Sequence, residues 1–342
     1  MNLRKSAGLF AGAAILFAAC QGATAPSGAT SGGTKGPDGA LVKRSDIRIE
    51  VITHGQAIDG FWGVVRNGVK AAASDLGVTV NYSAPDTESD MVKMSQLIEA
   101  AIAKNPNGIV VSIPNADALS PAIKKAIAAG IPVVSMNSGS DVFKALGIKA
   151  HVGQTEYQAG FGAGERFKAA GVKDAYCFNQ EVGNNALTLR CNGFFDGLGV
   201  GADKSKAKIL TGQIADPAGM KASIAAAISK DPAIDGLLTL GPSVAVPALG
   251  AIEAAGKTGA IHLATFDLSK DVLTAIKDKK MDFAIDQQQY LQGYMPIAIL
   301  VQYAETRNLP TGDGTGLIMT GPGFVTQADA ADVIALSAKG LR

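Results

Sequence analysis

The stretch GIVVSIPNADALSPAIKKAIAAGIPVVSMN, Gly108 to Asn137, decides the fold. It opens on a short apolar run, GIVVSIP. A segment with apolar residues at helical spacing follows, ADALSPAIKKAIAAG, and then a second apolar run, IPVVSMN. Nearly continuous apolar strands separated by helices mark a parallel sheet covered on both faces. The unit extends in both directions. Upstream, IRIEVIT and VTVNYSAP are expected as strands, with GFWGVVRNGVKAAASDLG and DMVKMSQLIEAAIAKN as helices and Asp90 capping the second. Downstream, KAHVG leads into the helix TEYQAGFGAGERFKAAG. The pattern then restarts with the strands DAYCFNQ, KAKILTGQ, DGLLTLG, AIHLATFD and MDFAIDQ. The helices ALTLRCNGFFDGL, AGMKASIAAAISK, SVAVPALGAIEAAG and SKDVLTAIKDKK lie between them. The expected fold class is α/β, with two doubly wound parallel-sheet units in tandem.

The chain has 342 residues and is 47% hydrophobic, ample for a core of one large or two ordinary domains. Lys and Arg number 31 against 30 Asp and Glu, so nothing in the net charge of +1 points to nucleic acid. The N-terminus reads as a targeting segment. Arg4 and Lys5 precede an apolar stretch, Gly8 to Ala19, that ends in LFAAC. Residues 1–19 are expected to be a lipoprotein signal peptide, with lipidation at Cys20 as the only membrane anchor. Residues 20–45 are rich in Gly, Ser, Thr and Pro and are expected to be a flexible tether. The mature body is therefore expected outside the cytoplasm. Two further cysteines, Cys177 and Cys191, are either a disulfide or two buried thiols. Export favours the disulfide, whose loop would add roughly 3 kcal/mol on the chain-entropy model.

In open α/β sheets, ligands bind beyond the C-terminal ends of strands. Those ends carry His54, Gln56, Asp59, Phe61 and Trp62, then Asn137 and Ser138. In the second unit they carry Asn179, Gln180, Glu181 and Asn184, then Gln213, Asp216, Asp267, Asp286 and Gln287. Asn, Gln and Asp dominate over Lys and Arg, as in a neutral hydrogen-bonding cleft. The run FAIDQQQYLQGY, Phe283 to Tyr294, places four polar side chains at the end of the last strand. Asp286 and Gln287 are expected at the cleft, with Gln287 touching ligand. Gln288 and Gln289 are expected to satisfy backbone groups there or to cap the next helix.

Over about Asp46 to Thr326 the chain resembles the periplasmic sugar-binding proteins of the ribose and galactose type. The stretches DGFWGVVRNGVKAAASDLGV, GIVVSIPNADALSPAIKKAIAAGIPVVSMN, ALTLRCNGFFDGL, LATFDLSKDVLTAIKDKKM and FAIDQQQ carry the resemblance. It implies two lobes joined by three crossovers, near His151 to Gln154, near Gln287 and Gln288, and near Thr320. The implied N-terminal lobe is 46–152 plus 288–320, and the implied C-terminal lobe is 153–287 plus 321–342. It also implies ligand roles. Phe61 and Trp62 would pack on a sugar ring, Arg190 would donate to ring or hydroxyl oxygens, and Asp267 and Gln287 would bind hydroxyls. Asn137 stands where the family commonly has an aspartate, and Ser138 where it has an arginine. Gly241 and Pro242 replace an Asn-Asp pair, and Pro217 stands where another aromatic is usual. Glu181, Asn184 and Gln213 are the candidates to compensate.

No GxSxG, GxxxxGK[ST] or metal-ligand spacing occurs, so no enzyme, cofactor or metal is expected. The glycines of GFGAGE, Gly160 to Glu165, lack the strand-first order of a dinucleotide loop and are expected to permit helix packing. The expected function is a substrate-binding lipoprotein of an ABC importer. It would be a monomer that captures a small neutral sugar or polyol and docks on a permease with its ATPase. A sensor module for a chemoreceptor or kinase, or a nucleoside-binding lipoprotein, is the alternative.

Overall fold

Two six-stranded sheets organise the chain. The structure is a computed structural model that describes residues 41–55, 60–87, 89–203, 205–311 and 314–342. The signal peptide, Cys20, Gln56 and Asp59 lie outside the described residues. The first sheet takes β1 (Arg48–Ile52), β2 (Thr79–Ser83), β3 (Gly108–Val111), β4 (Val133–Asn137) and β5 (Ala150–Gly153). The second takes β6 (Ala175–Asn179), β7 (Lys208–Thr211), β8 (Gly236–Thr239), β9 (His262–Phe266) and β10 (Phe283–Asp286). Two short strands then follow, β11 (Leu317–Met319) in the first sheet and β12 (Gly323–Val325) in the second. The orders are β11-β5-β4-β3-β1-β2 and β12-β10-β9-β8-β6-β7. All pairings are parallel except that of β12 with β10. The two halves thus repeat one doubly wound order, and in each the switch point lies between its first and third strands.

Helices α1 (Gly60–Leu76), α2 (Met91–Ala103) and α3 (Ala116–Ala128) connect the first four strands, and α4 (Glu156–Ala169) follows β5. In the second half α5 (Asn185–Leu198), α6 (Pro217–Lys230), α7 (Pro242–Ala254) and α8 (Lys270–Lys277) alternate with β6 to β10. Then come α9 (Gln289–Thr306) after β10 and α10 (Ala330–Ser337) near the C-terminus. Local chemistry sets several starts. Asp90 caps α2 by accepting from Lys93 N at 2.9 Å, and Asn115 caps α3 by accepting from Ala118 N at 3.0 Å. The strands are apolar because helices cover both faces: Ile49, Val51, Val110, Val134 and Val152 are buried in one core, and Leu237, Leu263 and Ala284 in another. No helix among the described residues is long and apolar enough to cross a membrane.

Each half receives one helix from the chain that has just left the other sheet. Helix α4 follows β5 of the first sheet and packs on α5. Helix α9 follows β10 of the second sheet and packs on α1. Both contacts bring backbones together. A Cβ on Gly160 would lie 2.0 Å from the Arg190 carbonyl oxygen, and one on Gly293 would lie 2.0 Å from that of Val65. Only glycine permits that approach. The glycines of GFGAGE therefore serve helix packing, as expected: they lie inside α4 and not in the loop between β5 and that helix. Strands β11 and β12 are an addition to the sequence expectation. Each has three residues at a sheet edge and pairs with a partner far away in sequence, so it carries no periodic signal. Cys177 in β6 and Cys191 in α5 form a disulfide with Cα atoms 5.7 Å apart.

Candidate ligand-binding cleft

The C-terminal strand ends of the two sheets line one cavity. From the first half come His54, just beyond β1, Phe61 and Trp62 at the start of α1, and Asn137 at the end of β4. From the second half come Gln180 and Glu181 beyond β6, Asn184 capping α5, Arg190 within α5, Asp267 beyond β9, and Gln287 beyond β10. Trp62 is buried, and its ring stands edge-on to Phe61 at 5.0 Å and to His54 at 4.8 Å. Asn137 is the last residue of the fourth strand of its half and Asp267 the first beyond that of the other, and both are left-handed, with φ of +60° and +65°. Asn and Asp tolerate that region better than bulkier residues. The turn aims two short polar side chains into the cavity from opposite sheets.

Charge in the cleft centres on Arg190. Its Nε donates to Glu156 Oε2 at 2.5 Å, and its guanidinium carbon lies 4.3 Å from the Phe266 ring centroid. Burial alone would lower its pKa. The carboxylates of Glu156, Asp267 and Glu181 outweigh that effect and hold the guanidinium above its usual value. Glu181 Oε2 accepts from Asn184 Nδ2 at 2.9 Å and from Ser89 Oγ at 3.2 Å, so it also joins the two halves. The His54 Nε2 lies 3.7 Å from the same oxygen, while His54 Nδ1 meets Ser112 Oγ at 2.8 Å. Burial pushes the His54 ring below its usual pKa, against the upward pull of Glu181. A second set of bonds joins the halves nearby. Asn185 donates to the Pro114 carbonyl at 2.9 Å from its backbone and to Asp141 at 2.7 Å from its side chain.

Gln287 donates from Nε2 to Asp267 Oδ1 at 2.6 Å, and its buried Oε1 has no partner among the described residues. The same holds for Gln180 Oε1. Asp267 does not cap the next helix: Ser269 does, accepting from Val272 N at 3.2 Å. Three expectations are corrected, for Gln213, Asp286 and Gln289. Gln213 is exposed and does not line the cavity; the loop after β7 reaches it through the next residue, Ile214. Asp286 is fully buried but faces away from the cavity. It accepts from Gln288 N at 2.7 Å and from Arg342 Nε at 2.7 Å. Gln288 donates to the Thr320 carbonyl at 2.8 Å and so satisfies a backbone group, as expected. Gln289 caps nothing, and its buried amide has no partner among the described residues. Pro217 and Ser138 stay out of the cavity lining, while Gly241 and Pro242 are part of it.

Glu156 escaped the sequence reading, because it sits at a helix start rather than a strand end. A signal for it existed. Gln154-Thr155-Glu156-Tyr157 and Gln287-Gln288-Gln289-Tyr290 follow the strands β5 and β10 in the same phase, each with a packing glycine three residues on. No group of three or more His, Cys, Asp or Glu among the described residues could hold a metal.

The chain matches the periplasmic binding protein domain over residues 49–308. It is 25% identical over 329 residues to a xylose/arabinose-binding protein of Sulfolobus acidocaldarius, covering 90% of this chain and 79% of that protein. To a ribose import binding protein of Bacillus subtilis it is 27% identical over 237 residues, covering 68% and 74%. Among solved structures, a carbohydrate transporter from Acidothermus cellulolyticus in complex with myo-inositol superposes with a TM-score of 0.78 at 36% identity. That match covers 86% of this chain and 99% of the other. These relatives are solute-binding proteins of transporters, not enzymes. With three-quarters of its length matched and its two doubly wound halves meeting at a polar cleft, the chain belongs to the periplasmic binding protein domain family.

Proposed function

We propose that the cleft captures a small neutral polyhydroxylated solute, a monosaccharide or a cyclic polyol of the inositol kind, and delivers it to a membrane permease and its ATPase. Two lobes, 46–152 plus 288–320 and 153–287 plus 321–342, close over the solute, and the lipid on Cys20 holds the monomer at the outer face of a membrane. The observation that carries this reading is the pairing of an aromatic wall from the first half, Phe61 and Trp62, with acceptors from the second. Gln287 Oε1 and Gln180 Oε1 call for hydroxyl donors, the Asp267 carboxylate lies in the same lining, and the aromatic rings suit the C–H face of a ring. The carboxylates around Arg190 disfavour anions such as sugar acids and phosphates. The relative that binds myo-inositol, at 36% identity, supports a cyclic polyol.

A thermal-shift panel of pentoses, hexoses, inositols, linear polyols and nucleosides tests this. A ligand present at one hundred times its Kd stabilises the folded state by about 2.7 kcal/mol. A cyclic sugar or inositol is expected to raise the melting temperature and nucleosides to leave it unchanged. A panel in which no sugar or polyol raises it would contradict the proposal.

A further inference from the structure

Among the described residues that line the cleft, Arg190 is the one with a guanidinium, and it is held from behind. Helix α4 meets it twice, one turn apart. At Gly160 the helix backbones touch at the Arg190 carbonyl, and four residues earlier Glu156 takes the side chain by its Nε edge. Residues four apart lie on one face of a helix, so a single face of α4 grips both the backbone and the side chain of Arg190. Glu156 Oε2 also accepts from Gln154 Nε2 at 3.0 Å, in the segment where the chain leaves the first sheet. The carboxylate is fully buried, and its Oε1 has no partner among the described residues. A buried carboxylate is costly unless it is used, and its strongest contact here is with Arg190. Cys191, the next residue, ties α5 to β6 through the disulfide and limits Arg190 from a third side.

We propose that Glu156 is a positioning residue for ligand binding: it occupies the Nε edge of Arg190 and so turns the terminal nitrogens of the guanidinium toward the cleft. A guanidinium is a planar fork whose edges are geometrically distinct, so fixing one edge fixes the direction of the others. Without the carboxylate the side chain loses its aim and becomes a buried charge with one counter-ion fewer. The inference rests on the solute-capture reading for its effect on affinity, but not for the geometry of Arg190 itself.

The test has two arms on the mature chain. The first needs no ligand: hydrogen exchange of the Arg190 Nε–H is followed by NMR in wild type and in Glu156→Gln. Exchange at least tenfold faster in the variant is expected, and equal exchange would overturn the proposal. The second arm titrates myo-inositol, or whichever sugar of the panel stabilises the wild type, by calorimetry at 25 °C, where both proteins are folded. An affinity at least tenfold weaker in Glu156→Gln is expected, and wild-type affinity in that variant would overturn the proposal. If Glu156→Gln does not fold, Glu156→Asp, which keeps the charge but withdraws it by one methylene, is measured in its place with the same expectations. A wild type that binds no sugar or polyol refutes the capture reading alone, and the exchange arm then decides the role of Glu156.

Discussion

His151 stands in β5 with Nδ1 2.9 Å from Ser135 Oγ and a buried Nε2 that has no partner among the described residues. Burial lowers its pKa from 6.5 to about 3. The ring is therefore neutral in the folded protein at pH values where an unfolded chain already takes up a proton. The stability it contributes is fully present above pH 6.5 and is lost as the pH falls toward 3. At pH 4.5 that loss reaches about 3 kcal/mol. Urea denaturation at pH 7 and pH 4.5 checks this: His151→Gln is expected to lose about 3 kcal/mol less than wild type between the two, and equal losses would contradict it. At this scale the sequence showed strand-end residues well and their partners poorly. Asp267 and Gln287 could be placed because the C-terminal end of a strand is a local property. The clasp of Asp286 by Arg342, 56 residues away, and the grip of Glu156 on Arg190, 34 residues away, depend on contacts that no local pattern encodes.

Helices α4 and α5 and strand β6 form the block that carries half of the cleft. The disulfide closes a loop from Cys177 to Cys191, and Gln180, Glu181, Asn184 and Arg190 all lie inside it. Reducing or removing it frees that loop in the unfolded chain and is expected to cost about 3 kcal/mol of stability. Thermal melts with and without a strong reductant measure this, with Cys177→Ala/Cys191→Ala as the control that no longer responds to reductant. A melting temperature that reductant leaves unchanged in wild type would contradict it. The element order was legible because most strands are short apolar runs and the helices between them have their own spacing, with a cap at Asp90 for one of them. The edge strands β11 and β12 were not legible, since three residues hold no period. Gln213 misled for a related reason: the sequence shows that it follows a strand, but not that Ile214, the next residue, is the one of that loop to line the cavity.

At the scale of the whole molecule, the two halves repeat one topology and exchange one helix each, so the chain passes between them beside the cleft. Bonds from Ser89 to Glu181 and from Asn185 to Pro114 and Asp141 bridge the halves at the same face. Solute captured between the halves would add further bridges, through Asn137 and Trp62 on one side and Asp267, Gln287 and Arg190 on the other. The chain has a single tryptophan, and Trp62 lines the cleft. Its fluorescence therefore reports on the site itself without any label. The most direct measurement is a titration of the sugar or inositol that stabilises the protein while Trp62 emission is recorded in wild type and in Asp267→Ala. A saturable change at one ligand per chain is expected in wild type. In Asp267→Ala the midpoint is expected to rise about 5- to 150-fold, the loss of about 1–3 kcal/mol that follows when a buried hydrogen-bond partner is removed. A stabilising ligand that leaves Trp62 emission unchanged, or an Asp267→Ala variant that binds as wild type does, would contradict capture in this cleft.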